Sequence, residues 1–423
     1  MTVRLSRRDT LLFTGAFAAA GAIPGLSAPA IAAPLRSSDI DAMLKARVDA
    51  AEVPGVVAMA ATKDAVIYQG AFGTRAIGTK VLGAPAAMSL DTVFSIASMT
   101  KLLTSVAAMQ LVERGKLTLD EPAARIDPTL ESPQVLDGFD AKGIPQLRTS
   151  RKPITLRHLL THTSGFSYQL WDANVLRYGK AARGNPALPR TPLMFDPDTR
   201  WAYGGSLDRV GRLVEIVSGQ TLDRYVLDNI TGPLGMHDTA YAITDKQRAR
   251  QASLHVRKPD GTLPAQPLVK QAELKEFSGG GGIKSTAPDY LTLLQAILNG
   301  GGLPGKRILR LQTVEQMSTN QIGDIDAGIL KTTNPALSND VDFFPGVRLR
   351  WGLADMINTD PVPRGRAAGS QTWAGLYNTY YWIDPASRIA GVIMMQILPF
   401  ADRRALDVYR QFERGIYRST KPA

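Results

Sequence analysis

Phe94-Ser95-Ile96-Ala97-Ser98-Met99-Thr100-Lys101-Leu102-Leu103-Thr104-Ser105-Val106 is the stretch on which the reading of this chain turns. Leu102, Leu103, Val106, Met109 and Val112 recur at helical spacing, which predicts a helix from about Ser98 to Arg114 stopped by Gly115. Ser98 and Lys101 stand at i and i+3 and therefore share a face. That face is apolar, and burial disfavours an ammonium. Bringing the lysine from about 10.4 to about 7 requires roughly 4.6 kcal/mol, and an amine so tuned can take the Ser98 proton. The same residues also suit an ordinary helix start with a serine near the cap and a snorkelling lysine. With 22 Ser and 16 Lys in 423 residues, chance alone supplies about 0.8 S-x-x-K pairs, so the apolar helix behind this one is what singles it out.

Outward from this helix, strand signals lie at both ends of the chain. Val56 to Thr62 and Ala65 to Phe72 read as a hairpin around Lys63-Asp64, preceded by a helix over Ser38 to Ala50. Gly375 to Ile383 and Ile389 to Leu398 read as a second hairpin, and an amphipathic helix with Leu406, Tyr409, Phe412 and Ile416 closes the chain. Between them lie helices over Ser206 to Ser218, Thr221 to Asn229, and from the Thr286 cap to Asn299. Residues 120–200 show few strand signals. Gly279 to Gly282 reads as a close backbone approach. The architecture expected is α+β: an antiparallel sheet flanked by helices from residues 33–95 and 270–423, with a mainly helical domain, 96–269, inserted and carrying the S-x-x-K helix.

Composition narrows the chemistry. Cysteine is absent, which excludes disulfides, thiol catalysis and thiolate metal sites. The net charge of +11 is spread singly, without a run of five Lys/Arg, so nucleic acid is not an expected partner. His158 and His162 stand four apart but lack an acidic companion, and read as structural; no metal or cofactor is expected. Residues 1–32 read as a leader. Ser6-Arg7-Arg8-Asp9-Thr10-Leu11-Leu12 fits a twin-arginine signal, and Ala30-Ile31-Ala32 a cleavage site. The expectation is export of a folded cargo by the bacterial twin-arginine machinery to a periplasmic or secreted location, without a lasting membrane anchor.

There is no G-x-S-x-G, P-loop or H-E-x-x-H in the chain. What the chain does carry, in order, is Ser98-x-x-Lys101, the run Thr155-Leu156-Arg157-His158-Leu159-Leu160-Thr161-His162-Thr163-Ser164-Gly165, then Tyr203-Gly204-Gly205, Pro233-Leu234-Gly235-Met236, Gly279 to Ser285, and Trp373-Ala374-Gly375. In this order the motifs resemble the serine β-lactamase/DD-peptidase superfamily over about residues 37 to 418, nearest to class C β-lactamases and the β-lactamase-like esterases called family VIII. The resemblance implies a β-lactamase/transpeptidase-like fold and an acyl-enzyme on Ser98. Lys101 and Tyr203 would share the proton traffic, either being able to act as base, and the backbone N–H groups of Ser98 and Leu376 would form an oxyanion hole beside Trp373 and Gly375.

Two departures from the family pattern shape the functional expectation. Trp373 replaces the lysine of K-T-G, which removes a cation suited to substrate carboxylates and adds a flat apolar wall. Gly205 replaces the asparagine of Y-x-N, removing an amide that could orient substrate or lysine. Both favour a serine carboxylesterase acting on a small-molecule substrate, an uncharged ester with a small or modest acyl group. The alternatives are acyl transfer to an alcohol or weak β-lactamase or DD-peptidase activity on the same intermediate, or a non-catalytic envelope binding protein of the same fold.

Overall fold

The computed structural model describes residues 37–76, 86–269 and 272–420; the leader reading over residues 1–32 lies outside them. In chain order the elements that position the cleft are helix α1 (Ser37–Asp49), strands β1 (Gly55–Thr62) and β2 (Val66–Gly73), helix α2 (Thr100–Glu113), strands β3 (Gln134–Phe139) and β4 (Pro145–Thr149), helix α3 (Ser206–Ser218), helix α4 (Ala287–Leu298), strands β5 (Leu349–Trp351), β6 (Met356–Asn358), β7 (Gln371–Gly375), β8 (Thr379–Asp384) and β9 (Ile389–Met394), and helix α5 (Arg403–Thr420). The main sheet runs β5-β6-β7-β8-β9-β1-β2, antiparallel at every pairing. The first hairpin, β1–β2, thus docks on the last strand, β9, which is how the two chain ends come to build one sheet. Among the described residues no helix is long and apolar enough to cross a membrane.

Alternation along β8 distributes its aromatics to the two faces of the sheet, as the period of two in a strand requires. Tyr380 and Trp382 pack on α5, with ring centroids 4.7 Å from Tyr409 and 5.6 Å from Phe412 respectively. Tyr381 points the other way and meets Tyr290 of α4 at 5.3 Å. Beneath it Asp355 is buried and accepts a bond from the Tyr381 hydroxyl. Burial pushes the Asp355 carboxyl up to about 7. A raised carboxyl means the folded chain keeps a proton that the unfolded chain releases above about pH 4. This contribution to stability is full below pH 4, is lost as pH rises to 7, and is flat beyond. Asp355→Asn should therefore flatten the dependence of unfolding free energy on pH between 4 and 7, measured by urea denaturation; an unchanged slope counts against it.

Three expectations needed correction. Residues 375–383 are not one strand: β7 ends at Gly375, and the chain turns through Leu376, Tyr377 and Asn378 before β8. Asn378 has φ +62°, which asparagine tolerates, and its side-chain amide donates to the Ile397 and Pro399 carbonyls. Within residues 120–200, β3 and β4 form a hairpin with a register shift near Gly138, a distortion that also disrupts its sequence alternation. Helix α2 is buried all round from Thr100 to Leu111, including Lys101, Thr104, Ser105 and Gln110, so it is a central helix and not an amphipathic one.

Candidate active site

Ser98 does not lie within α2. It sits on a single 3-10 turn, Ala97–Met99, that enters the helix. Ala97 adopts φ +44°, an unfavourable left-handed backbone that the neighbouring strands hold. On one side, Phe94–Ser95 pairs with Lys284–Ser285. On the other, Gly375 lies against Ile96: a Cβ at position 375 would stand 2.3 Å from the Ile96 carbonyl. Only glycine lets the end of β7 approach the serine turn this closely.

Lys101, one turn along, is 1% exposed. Its Nζ donates to Ser98 Oγ at 3.2 Å and to the Gly280 carbonyl at 2.7 Å. The glycine run is indeed a close approach: a Cβ on Gly279 would meet the Leu207 carbonyl at 2.1 Å, and Thr104 Oγ1 donates to the Gly279 carbonyl at 2.8 Å. Lys101 Nζ lies 4.9 Å from the centre of the Tyr203 ring and 5.5 Å from that of Tyr168. The expected depression of its pKa does not occur. Burial acts to lower it, but the phenols of Tyr168 and Tyr203 and the Asp208 carboxylate outweigh burial and hold the ammonium above its ordinary value.

Tyr203 is buried in an aromatic cage. Its ring lies 4.7 Å from Trp373, 4.8 Å from His162, 5.4 Å from Trp171 and 5.6 Å from Tyr168. Trp373 Nε1 donates to the Tyr203 hydroxyl oxygen at 3.1 Å. The residue expected to wall the substrate cleft is therefore packed behind the tyrosine and bonded to it. His162 ties this loop down: its Nδ1 accepts from Gly204 N–H at 3.4 Å and its carbonyl from Ala202 N–H at 3.0 Å. Burial, and then the charge of Lys101, hold the His162 imidazole well below its ordinary pKa. His158 accepts from Thr155 N–H through Nδ1, which completes a capping box with Thr155, the N-cap of the short helix Leu156–Leu160.

The cleft in front of these groups has a volume of about 620 Å³. Ser98, Tyr168, Leu170, Trp171, Ile283, Leu376 and Tyr377 are among the residues lining it, whereas Lys101, Tyr203, Trp373 and Gly375 lie behind its walls. Among the described residues, neither Ser98 N–H nor Leu376 N–H finds a backbone acceptor outside its own turn. The structure thus brings Ser98, Lys101 and Tyr203 together. Sequence reasoning missed Tyr168 and Asp208. An acidic residue in the first turn of α3, five positions after Tyr203, was the available signal for Asp208; for Tyr168 there was none beyond its nearness to the Thr163-Ser164-Gly165 run.

The comparisons agree with this geometry. The Beta-lactamase family model matches residues 40–415. ML-236A carboxylate methylbutanoyltransferase mlcH of Penicillium citrinum is 32% identical over 403 residues, covering 91% of this chain and 95% of its own. Lovastatin esterase of Penicillium rubens is 31% identical over 402 residues, covering 90% and 98%. The solved structure of the LovD6 mutant of simvastatin synthase from Aspergillus terreus superimposes with a TM-score of 0.78 at 31% identity, covering 90% of this chain and 94% of that one. With a serine and a lysine joined one turn apart beneath a caged tyrosine, on a sheet assembled from both chain ends, this chain belongs to the β-lactamase family.

Proposed function

We propose that this protein transfers acyl groups of carboxylic esters through a covalent intermediate on Ser98, with an alcohol or water as the final acceptor. The observation that carries the reading is the 3.2 Å bond between Lys101 Nζ and Ser98 Oγ at the floor of an open cleft. In this reading Ser98 Oγ attacks the ester carbonyl while its proton passes to the Tyr203 oxygen. Tyr203 takes this proton as the phenolate, whose negative charge the Trp373 indole N–H and the neighbouring Lys101 ammonium stabilise until the proton arrives and neutralises it. The Ser98 and Leu376 N–H groups face the developing oxyanion. The tetrahedral species collapses as the C–O bond to the leaving alkoxide breaks, and that oxygen takes the proton back from Tyr203. A second alcohol or water then reverses these steps.

Acyl transfer fits at least as well as the hydrolysis favoured from the sequence. Relatives of both kinds cover nearly the whole chain, and the cleft is walled by Tyr168, Leu170, Trp171 and Tyr377, which suits a bulky apolar acceptor or acyl group. The small uncharged ester is thus one end of the range, since the mlcH name specifies a carboxylate as its acceptor. The test is product analysis. With p-nitrophenyl butyrate, adding an alcohol should raise p-nitrophenol release and divert butyrate into the new ester; an aryl phosphonate should add one adduct mass, localised to Ser98. Absence of the adduct, together with acceptor-independent background hydrolysis, would refute the proposal.

A further inference from the structure

Gly205 stands where the family pattern places an asparagine, and a Cβ there would make only ordinary contacts. A Cβ on Gly205 would have Asp208 Oδ2 as its nearest neighbour, at 3.5 Å. Asp208 occupies the first turn of α3, where the helix dipole favours a carboxylate. Its Oδ1 accepts from Ser278 Oγ at 2.5 Å and from Gly280 N–H at 2.9 Å. The carbonyl of that same Gly280 accepts from Lys101 Nζ at 2.7 Å. A chain of bonds therefore runs from Asp208 through Gly280 to the lysine beside Ser98. A glycine segment has no side chain to hold its own carbonyls in place, so its orientation must come from what it bonds.

We propose that Asp208 is a positioning residue, which fixes the Gly280 carbonyl as the docking point of the Lys101 ammonium and supplies the anchoring that the absent asparagine amide does not. Its negative charge adds to the effect through space, in the sense of retaining the Lys101 proton. The catalytic consequence rests on the reading of Ser98 given above, whereas the anchoring itself does not.

The direct readout is the exchange with water of the Lys101 ammonium protons, followed by 1H–15N spectroscopy of the full chain and identified by the signal that Lys101→Arg removes. In Asp208→Asn this exchange should be at least tenfold faster. The kcat for p-nitrophenyl butyrate should fall about tenfold with KM within twofold, and the basic limb of its pH profile should move to lower pH. Asp208→Glu, which keeps the charge, should recover part of each change. If Asp208→Asn does not fold, Ser278→Ala removes one of the two donors on the carboxylate and should speed exchange about threefold. Exchange within twofold of wild type in a folded Asp208→Asn would overturn the proposal. So would faster exchange with unchanged kcat and pH profile, provided Ser98→Ala is inactive in the same assay. If Ser98→Ala retains the full rate, the serine reading is what falls, and the exchange rate alone decides the role of Asp208.

Discussion

Ser98→Ala is expected to lower kcat/KM for p-nitrophenyl butyrate by about 10⁴-fold or more, with the fold intact. In the proposed reaction the Ser98 hydroxyl oxygen receives the acyl group, and among the described residues no other serine or threonine hydroxyl shares its bond to Lys101. What survives its removal is binding in the cleft and the polarising effect of the two backbone N–H groups, which act without covalent catalysis. Lys101→Met should cost a comparable factor. The double variant should be little worse than either single one, because groups that act as one unit are not additive when removed. Steady-state kinetics on the three variants, with near-ultraviolet circular dichroism as the check on folding, measures this. Equal rates for wild type and Ser98→Ala would end the acyl-enzyme account.

Glu413→Ala is expected to reduce stability by roughly 3–5 kcal/mol, read as a lower urea midpoint. Arg366 is fully buried and Glu413 nearly so. The pair is two-pronged: Arg366 Nε donates to Oε1 and Nη2 to Oε2, each at 2.8 Å, and the Arg366 backbone N–H donates to Oε1 at 3.2 Å. The guanidinium also donates to the Tyr409 hydroxyl and lies 5.6 Å from the Trp382 ring. This cluster joins α5 to the loop before β7. Removing the carboxylate leaves a buried guanidinium with no counter-charge, and arginine cannot shed its proton to escape. Replacing both partners with apolar residues, Arg366→Met with Glu413→Leu, should cost clearly less than Glu413→Ala alone, because no charge is then left uncompensated. A single variant as stable as wild type would contradict this account.

How much of the molecule was legible beforehand follows from the range of the interactions involved. Helix α3 was read with its bounds, Ser206–Ser218, because its apolar residues repeat every turn and Gly219 ends it in a left-handed conformation. The β1–β2 hairpin was likewise set by two β-type runs flanking Lys63-Asp64, and α4 by its Thr286 cap. The turn at residues 376–378 was not, because it depends on Asn378 reaching the Ile397 and Pro399 carbonyls about twenty residues further on. The burial of α2 on every side was hidden for a related reason: several of its polar side chains bond to distant carbonyls, as Gln110 Nε2 does to those of Asn229 and Ile308.

The candidate site residues divide in the same way. Ser98 and Lys101 were visible because their relation is one of spacing along a single helix, and Tyr203 because a short motif surrounds it. The protonation of Lys101 lay beyond reach of the sequence: burial, the only effect that local hydrophobicity reveals, pointed down, while the neighbours that reverse it, Tyr168, Tyr203 and the Asp208 carboxylate, come from other segments. Trp373 was read as a substrate wall, yet its indole bonds to Tyr203, 170 positions away in the chain. The sequence by itself determined the helices, the hairpins and the identity of the serine–lysine pair, since these depend on neighbours within a few residues. Tertiary structure alone decided what charge the lysine carries and which groups stand behind the tyrosine, because electrostatics and hydrogen bonding act through space between segments that the chain order keeps far apart.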